Sequence, residues 1–171
     1  DKSLINMASF DIETDIDGGA SSADDAEQPI TCISAKSSKS ARYWLFYYED
    51  QFLNDELVTG IEDGRVLAVK AKDEADMLKK FIRWWANDFP DVLTGWNIDG
   101  YDVPYTVNRI RKVLGETFVE KLSPWGYVTP RAFKTDFGET NTYNFSGISI
   151  VDYMDIFKKF GELSYGKPPS Y

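Results

Sequence analysis

The stretch DEADMLKKFIRWWANDFPDVLTGW, residues 73–96, constrains the fold more than any other. Met77, Phe81 and Trp84 recur at helical spacing, and so do Leu78, Ile82 and Trp85, which predicts a helix over 73–89 with a wide apolar face. Asp73 and Asp76 suit its N-terminus and Pro90 stops it. DVLTGW (91–96) follows at once as a short buried strand. A helix with such a face must lie against another layer, and a strand joined directly to it points to a sheet.

The remaining pattern agrees. Strands are predicted over 4–13, 30–37, 41–48 and 65–71, with a Gly-, Ser- and Asp-rich loop over 15–29. A second helix runs from about Val103 to Leu114 and ends at Gly115, with Pro104 tolerated in its first turn. Residues 127–147 alternate as a long hairpin, 148–160 read as a strand entering a helix, and the tail from Gly161 reads as loop. Strands first, then helix, strand and helix, give an α/β class with a mixed sheet and one domain over 1–171.

Composition narrows the chemistry. The chain has no His and one Cys, Cys32. A Ser-His-Asp site, a Cys-His site, a zinc site built on His or several Cys and an internal disulfide are excluded, and a reducing setting fits. Hydrophobic residues at 43% rule out a disordered chain. No apolar run is long enough to span a membrane and no signal peptide is visible. The first residue is Asp1, so the chain is read as a piece of something longer. The net charge of −9 comes from residues 1–100, the rest being near neutral. Such a chain grips nucleic acid backbone poorly unless local basic residues or cations help.

The acids carry the strongest signal. In SFDIETDI, Asp11 and Glu13 are two residues apart, so on a strand they share a face and repel unless a cation compensates them. DVLTGWNIDGYDVPY repeats the theme, ending a strand and setting Asp102 where a helix begins. Sites in open α/β sheets lie at strand ends, so Asp11, Glu13 and Asp102 can converge on a hard cation, Mg²⁺ or Mn²⁺. Asp102 alone also reads as a helix N-cap, and Asp152 and Asp155 as caps. DIDGGASSADD fails the calcium-loop pattern, leaving Asp15, Asp17, Asp24, Asp25 and Glu27 on a solvated loop.

FDIET and GWNIDGYD resemble the first two exonuclease motifs of family B DNA polymerases. LTGWNIDGYDVPYTVNRI, GISIVDYMDIFKKF and PPSY are similar to the replicative polymerases of large tailed bacteriophages, and the likeness runs over nearly the whole chain. The resemblance implies an RNase H-like mixed sheet with an inserted hairpin, and a 3′→5′ proofreading exonuclease that releases nucleoside monophosphates. Asp11 would bridge two ions, Mg²⁺ or Mn²⁺, with Glu13 on one and Asp102 holding the second through water. Asn97 and Tyr101 would support the site or touch the terminal nucleotides. Phe10 and Tyr101, which flank the acids, are the stacking candidates, whereas Trp84, Trp85 and Trp96 are expected in the core.

The same resemblance places the 15–29 loop beside the single-stranded 3′ end of DNA. It gives the hairpin, with its acidic tip Asp136 to Glu139, a part in holding template and primer apart. Arg131, Lys134, Arg109, Arg111 and Lys112 form the basic cluster, the last three equally explained as a solvated helix face. Expected partners are the 3′ end and the polymerase domains of the parent chain, with no membrane and no oligomer signal, in the cytoplasm of a bacterial host. The family's third motif, Tyr-x-x-x-Asp, has no match here, so the domain is expected to be incomplete at its C-terminal side and inactive alone. A non-catalytic single-strand-binding or bracing domain, and a nuclease that cuts RNA in hybrids, remain the other readings.

Overall fold

Ala8, Phe10 and Ile12 in strand β1 (Met7–Thr14) are buried, while Asp11 and Glu13, which alternate with them, are exposed. This alternation gives the strand one core face and one open face. The structure is a computed structural model that describes residues 4–15, 19, 21–49, 53–135 and 138–165. After β1 come β2 (Ile30–Ser37), β3 (Tyr43–Tyr47), α1 (Asp55–Glu62), β4 (Val66–Lys70), α2 (Glu74–Asn87), β5 (Val92–Gly95) and α3 (Asp102–Leu114). The short α4 (Glu116–Val119) and a 3-10 turn (Glu120–Leu122) lead to β6 (Val128–Thr135), β7 (Gly138–Phe145), β8 (Ser149–Asp152) and α5 (Tyr153–Tyr165).

Six strands form one sheet in the order β4-β3-β2-β1-β5-β8, and β6 and β7 form a separate hairpin. β1 runs antiparallel to β2 and parallel to β5, so the sheet is mixed, as expected. Helix α2 lays Phe81 and Trp85 edge-on against Phe10, with ring centroids at 5.5 and 5.9 Å. Full burial of each such ring contributes roughly 2–3 kcal/mol. The indole N–H of Trp85 donates to the carbonyl of Leu122 at 2.9 Å, so the buried ring leaves no polar atom unpaired. On the opposite face Cys32, Leu45 and Tyr47 pack under Leu57 and Ile61 of α1.

Three expectations are corrected. Helix α1 went unread, although Asn54 caps it by accepting the Leu57 amide at 2.9 Å. The α4 and 3-10 turns also went unread. The tail is helical as far as Tyr165, while 166–171 lie outside the described residues. No helix among the described residues is long and apolar enough to cross a membrane.

Candidate active site at the ends of β1 and β5

β5 pairs with β1 only at Met7 beside Val92 and Ala8 beside Leu93, then stays with β8 as far as Gly95 beside Asp152. The two strands therefore part, and a notch opens between their C-terminal ends. Asp102 fills it. The Ile12 amide, left without a strand partner on that side, donates to Oδ1 of Asp102 at 3.2 Å. Asp102 is 6% exposed. Its carboxyl is pushed up to about 7 by burial and then by the charge of Asp11, with the Ile12 amide pulling the other way. Tyr101 occupies the N-cap position and Asp102 is the first helical residue, so the capping reading of Asp102 gives way to a bond that ties α3 to β1.

Glu13 is displaced upward too, by burial and then by Asp11. Cys32 faces Glu13 across the ladder, and its thiol is pushed up to about 12 by burial and then by both acids. Negative charge thus gathers on this side of β1. Asp11 and Asp102 meet. Among the described residues, however, no three acidic or Cys side chains stand close enough to enclose an ion. A pocket of about 160 Å³ adjoins the pair, with Ser34, Lys36, Tyr43 and Trp96 on its walls. Lys36 donates to the carbonyl of Ser40 at 2.7 Å and sits over the Tyr43 ring.

The loop that delivers Asp102 is held by Asp152, which is buried. Its Oδ1 accepts the amides of Asn97 at 3.0 Å and Met154 at 2.8 Å, and its Oδ2 accepts that of Asp99 at 3.2 Å. The capping role read for Asp152 is present at Met154, but its larger task is to fix this loop. Asn97 has φ of 56°, and a Cβ on Gly100 would lie 2.4 Å from its side-chain oxygen, so Gly100 allows the turn to close. Asn97 and Tyr101 are half-buried, with the Tyr101 ring 5.2 Å from that of Tyr105. Asp99, which carried no role in the sequence, forms a 2.6 Å ion pair with Arg131 of the hairpin. Asp155 is exposed.

Several assigned residues move. Phe10 is 5% exposed and belongs to the core on the face opposite Asp11, so its ring is not a stacking surface. Trp96, expected in the core, is 45% exposed beside Tyr153 and Phe157. The basic cluster is dispersed: Arg111 pairs with Glu116 and Arg109 with Glu74. Arg109 and Lys112 also donate to carbonyls of Glu27 and Asp25, and Tyr105 to that of Gln28. One side of α3 thereby grips the acidic loop by its backbone. The side chains of Lys134 and of the expected tip, Asp136 to Glu139, lie outside the described residues.

Residues 2–171 match the family model described as DNA polymerase family B, exonuclease domain. The DNA-directed DNA polymerase of Enterobacteria phage T4 is 41% identical over 106 residues, 62% of this chain and 12% of that protein. That of Escherichia phage RB69 is 27% identical over the whole chain, 20% of its own length. The DNA polymerase of Choristoneura fumiferana nuclear polyhedrosis virus is 30% identical over 91% of the chain and 15% of that protein. The chain thus spans a fifth or less of the length of these relatives. The family B DNA polymerase structure from Pyrobaculum calidifontis shares the fold, with a TM-score of 0.60 at 23% identity over 91% of this chain and 16% of that one. Sequence and architecture agree, and the chain belongs to the exonuclease domain of family B DNA polymerases.

Proposed function

We propose that the domain is the 3′→5′ proofreading exonuclease of a longer polymerase, hydrolysing the terminal phosphodiester of a single-stranded 3′ end and releasing nucleoside monophosphates. The observation that carries this reading is the buried Asp102 carboxyl held against Asp11 at the carboxyl ends of two parallel strands. Two crowded carboxylates, one forced toward its neutral form, are an excess of charge that a divalent cation relieves. The donors are oxygen only, which suits Mg²⁺ or Mn²⁺, with Asp11, Glu13 and Asp102 as the residues that would hold the ions. When bound, a pair of such ions supplies an activated water and neutralises the leaving oxygen.

The chain's own residues do the positioning. The Ile12 amide fixes one oxygen of Asp102, and Asp152 fixes the loop before it. Asn97 and Tyr101, half-buried in that loop, would support the site or contact the terminal nucleotides. With no Tyr-x-x-x-Asp in the 171 residues, a further ligand from the rest of the polymerase completes the set. The polymerase domains are the partner, and the phage relatives support work in a host cytoplasm.

The test uses a 5′-labelled, 3′-recessed DNA with Mn²⁺ and the polymerase that carries this domain. Shortening from the 3′ end that stops in Asp11→Ala and Asp102→Ala is the expected result. A polymerase that leaves the 3′ end intact would hand the lead to a non-catalytic bracing role.

A further inference from the structure

The β6–β7 hairpin is a sheet of its own, yet its middle, where Arg131 faces Thr142, is tied to the loop that delivers Asp102. Nη2 of Arg131 lies 2.6 Å from Oδ2 of Asp99, and Nε of the same guanidinium donates to Oδ1 of Asn144 at 2.9 Å. The hydroxyl of Thr142 approaches the other Asp99 oxygen at 3.5 Å. Arg131 is 32% exposed and Asp99 only 7%. The charged groups that face Asp99 besides Arg131 are Asp152 and Asp155, both of its own sign. From Asp99 the path to Asp102 is one tight turn. The amides of Gly100 and Tyr101 donate to the Asn97 carbonyl at 3.0 and 3.1 Å, and that of Val103 to the Ile98 carbonyl at 2.9 Å. Such a turn transmits a displacement instead of absorbing it.

We infer that Arg131 is a positioning residue: through its ion pair with Asp99 it holds Asp102 in the notch beside Asp11, so that the placement of the hairpin governs the geometry of the site. This deepens the exonuclease reading, on which its catalytic consequence rests. Without Arg131, a buried carboxylate faces two more acids and must turn toward water. The 97–101 turn follows it, and Asp102 loses its register with the Ile12 amide. A merely structural pair would loosen the hairpin and leave Asp102 in place.

Amide hydrogen exchange of Ile12 in the 171-residue chain reads the Asp102 bond directly, without metal or DNA. Arg131→Gln is expected to speed exchange at Ile12 by about tenfold, the scale of one lost charge-assisted bond, while Phe81 in α2 keeps its rate. Arg131→Lys, which keeps the charge, stays near the wild-type rate. Asp99→Asn with Arg131→Gln exchanges no faster than Arg131→Gln alone, because a neutral side chain no longer needs the cation. In the polymerase carrying the domain, Arg131→Gln lowers kcat for 3′ nucleotide removal by about tenfold with KM for DNA nearly unchanged. Unchanged exchange at Ile12 in Arg131→Gln overturns the inference, as does a fall in kcat without it. A wild-type polymerase that removes no nucleotide sinks the functional reading instead, and the Ile12 exchange still decides the role of Arg131.

Discussion

Asp152 closes β8 and takes the backbone amides of Asn97 and Asp99, residues 55 and 53 positions before it. One carboxylate thus holds together the turn that precedes Asp102. Asp152→Ala leaves those two amides and that of Met154 without their acceptor, and urea unfolding is expected to show a loss of about 2–4 kcal/mol. Asp152→Asn keeps one acceptor oxygen and loses roughly half as much. A change near zero for the alanine variant would show that water replaces the side chain.

Arg109 and Glu74 form a two-bond pair at 2.7 Å each, and Glu74 also accepts the Ile30 amide at 2.8 Å. Both side chains are nearly buried. Arg109→Met strands the carboxylate and is expected to destabilise the chain by roughly 3–5 kcal/mol in thermal or urea unfolding. Adding Glu74→Gln recovers part of that loss, since the remaining buried group is then neutral. Independent, additive losses would refute the pairing.

The raised carboxyl of Asp102 fixes a direction with pH. Its folded value of about 7 lies above the ordinary 3.8, so between them the folded state holds more protons than the unfolded. In metal-free buffer this group's effect is absent below about pH 4, and stability falls as pH rises toward 7, by something on the order of 2–4 kcal/mol. Glu13 acts in the same sense. Asp102→Asn, which still accepts the Ile12 amide, is expected to melt above the wild type at pH 8 and level with it at pH 4. Mn²⁺ at pH 8 raises the melting temperature of the wild type and not of the variant. Melting curves of the two proteins that stay parallel from pH 4 to 8 would contradict the burial of this charge.

Thr106, one turn after Asp102 on α3, is buried with no hydrogen-bond partner for its hydroxyl among the described residues. Thr106→Val keeps the shape and removes the unpaired oxygen, so unfolding is expected to show no loss and a gain of up to about 1 kcal/mol. A clear loss in Thr106→Val would mean that the hydroxyl has a bonded partner in solution.

What could be read in advance follows from how local each cause is. Helix α2 and strand β5 announced themselves because Phe81, Trp85 and Leu93 obey a period that their burial enforces. Helix α1 hid because it has eight residues with Gly60 inside, and its clearest mark was the cap at Asn54. Phe10 was misplaced although the pattern held the correction. Neighbours on a strand face opposite ways, so a residue next to Asp11 cannot share its side. Trp96 was read as the last residue of a buried strand, but β5 ends at Gly95 and leaves it at the surface.

The pairing of Asp11 with Asp102 was legible as a spacing theme repeated at two strand ends. The devices that hold it were not. Asp99, Asp152 and Arg131 act across separations that no local pattern encodes, and the strand order that brings β8 beside β5 is set by packing.

The parting of β1 from β5 has a cost for anyone who would make this domain sturdier. If β5 kept its register with β1 for four more residues, as far as Ile12, the Ile12 amide would find a backbone carbonyl and the sheet would gain rungs where it is now cleft. The seat of Asp102 would vanish with the cleft. A continuous sheet and a seat for Asp102 compete here for the same few ångströms of strand edge, so stabilising substitutions belong on the far side of the sheet, around β3 and β4.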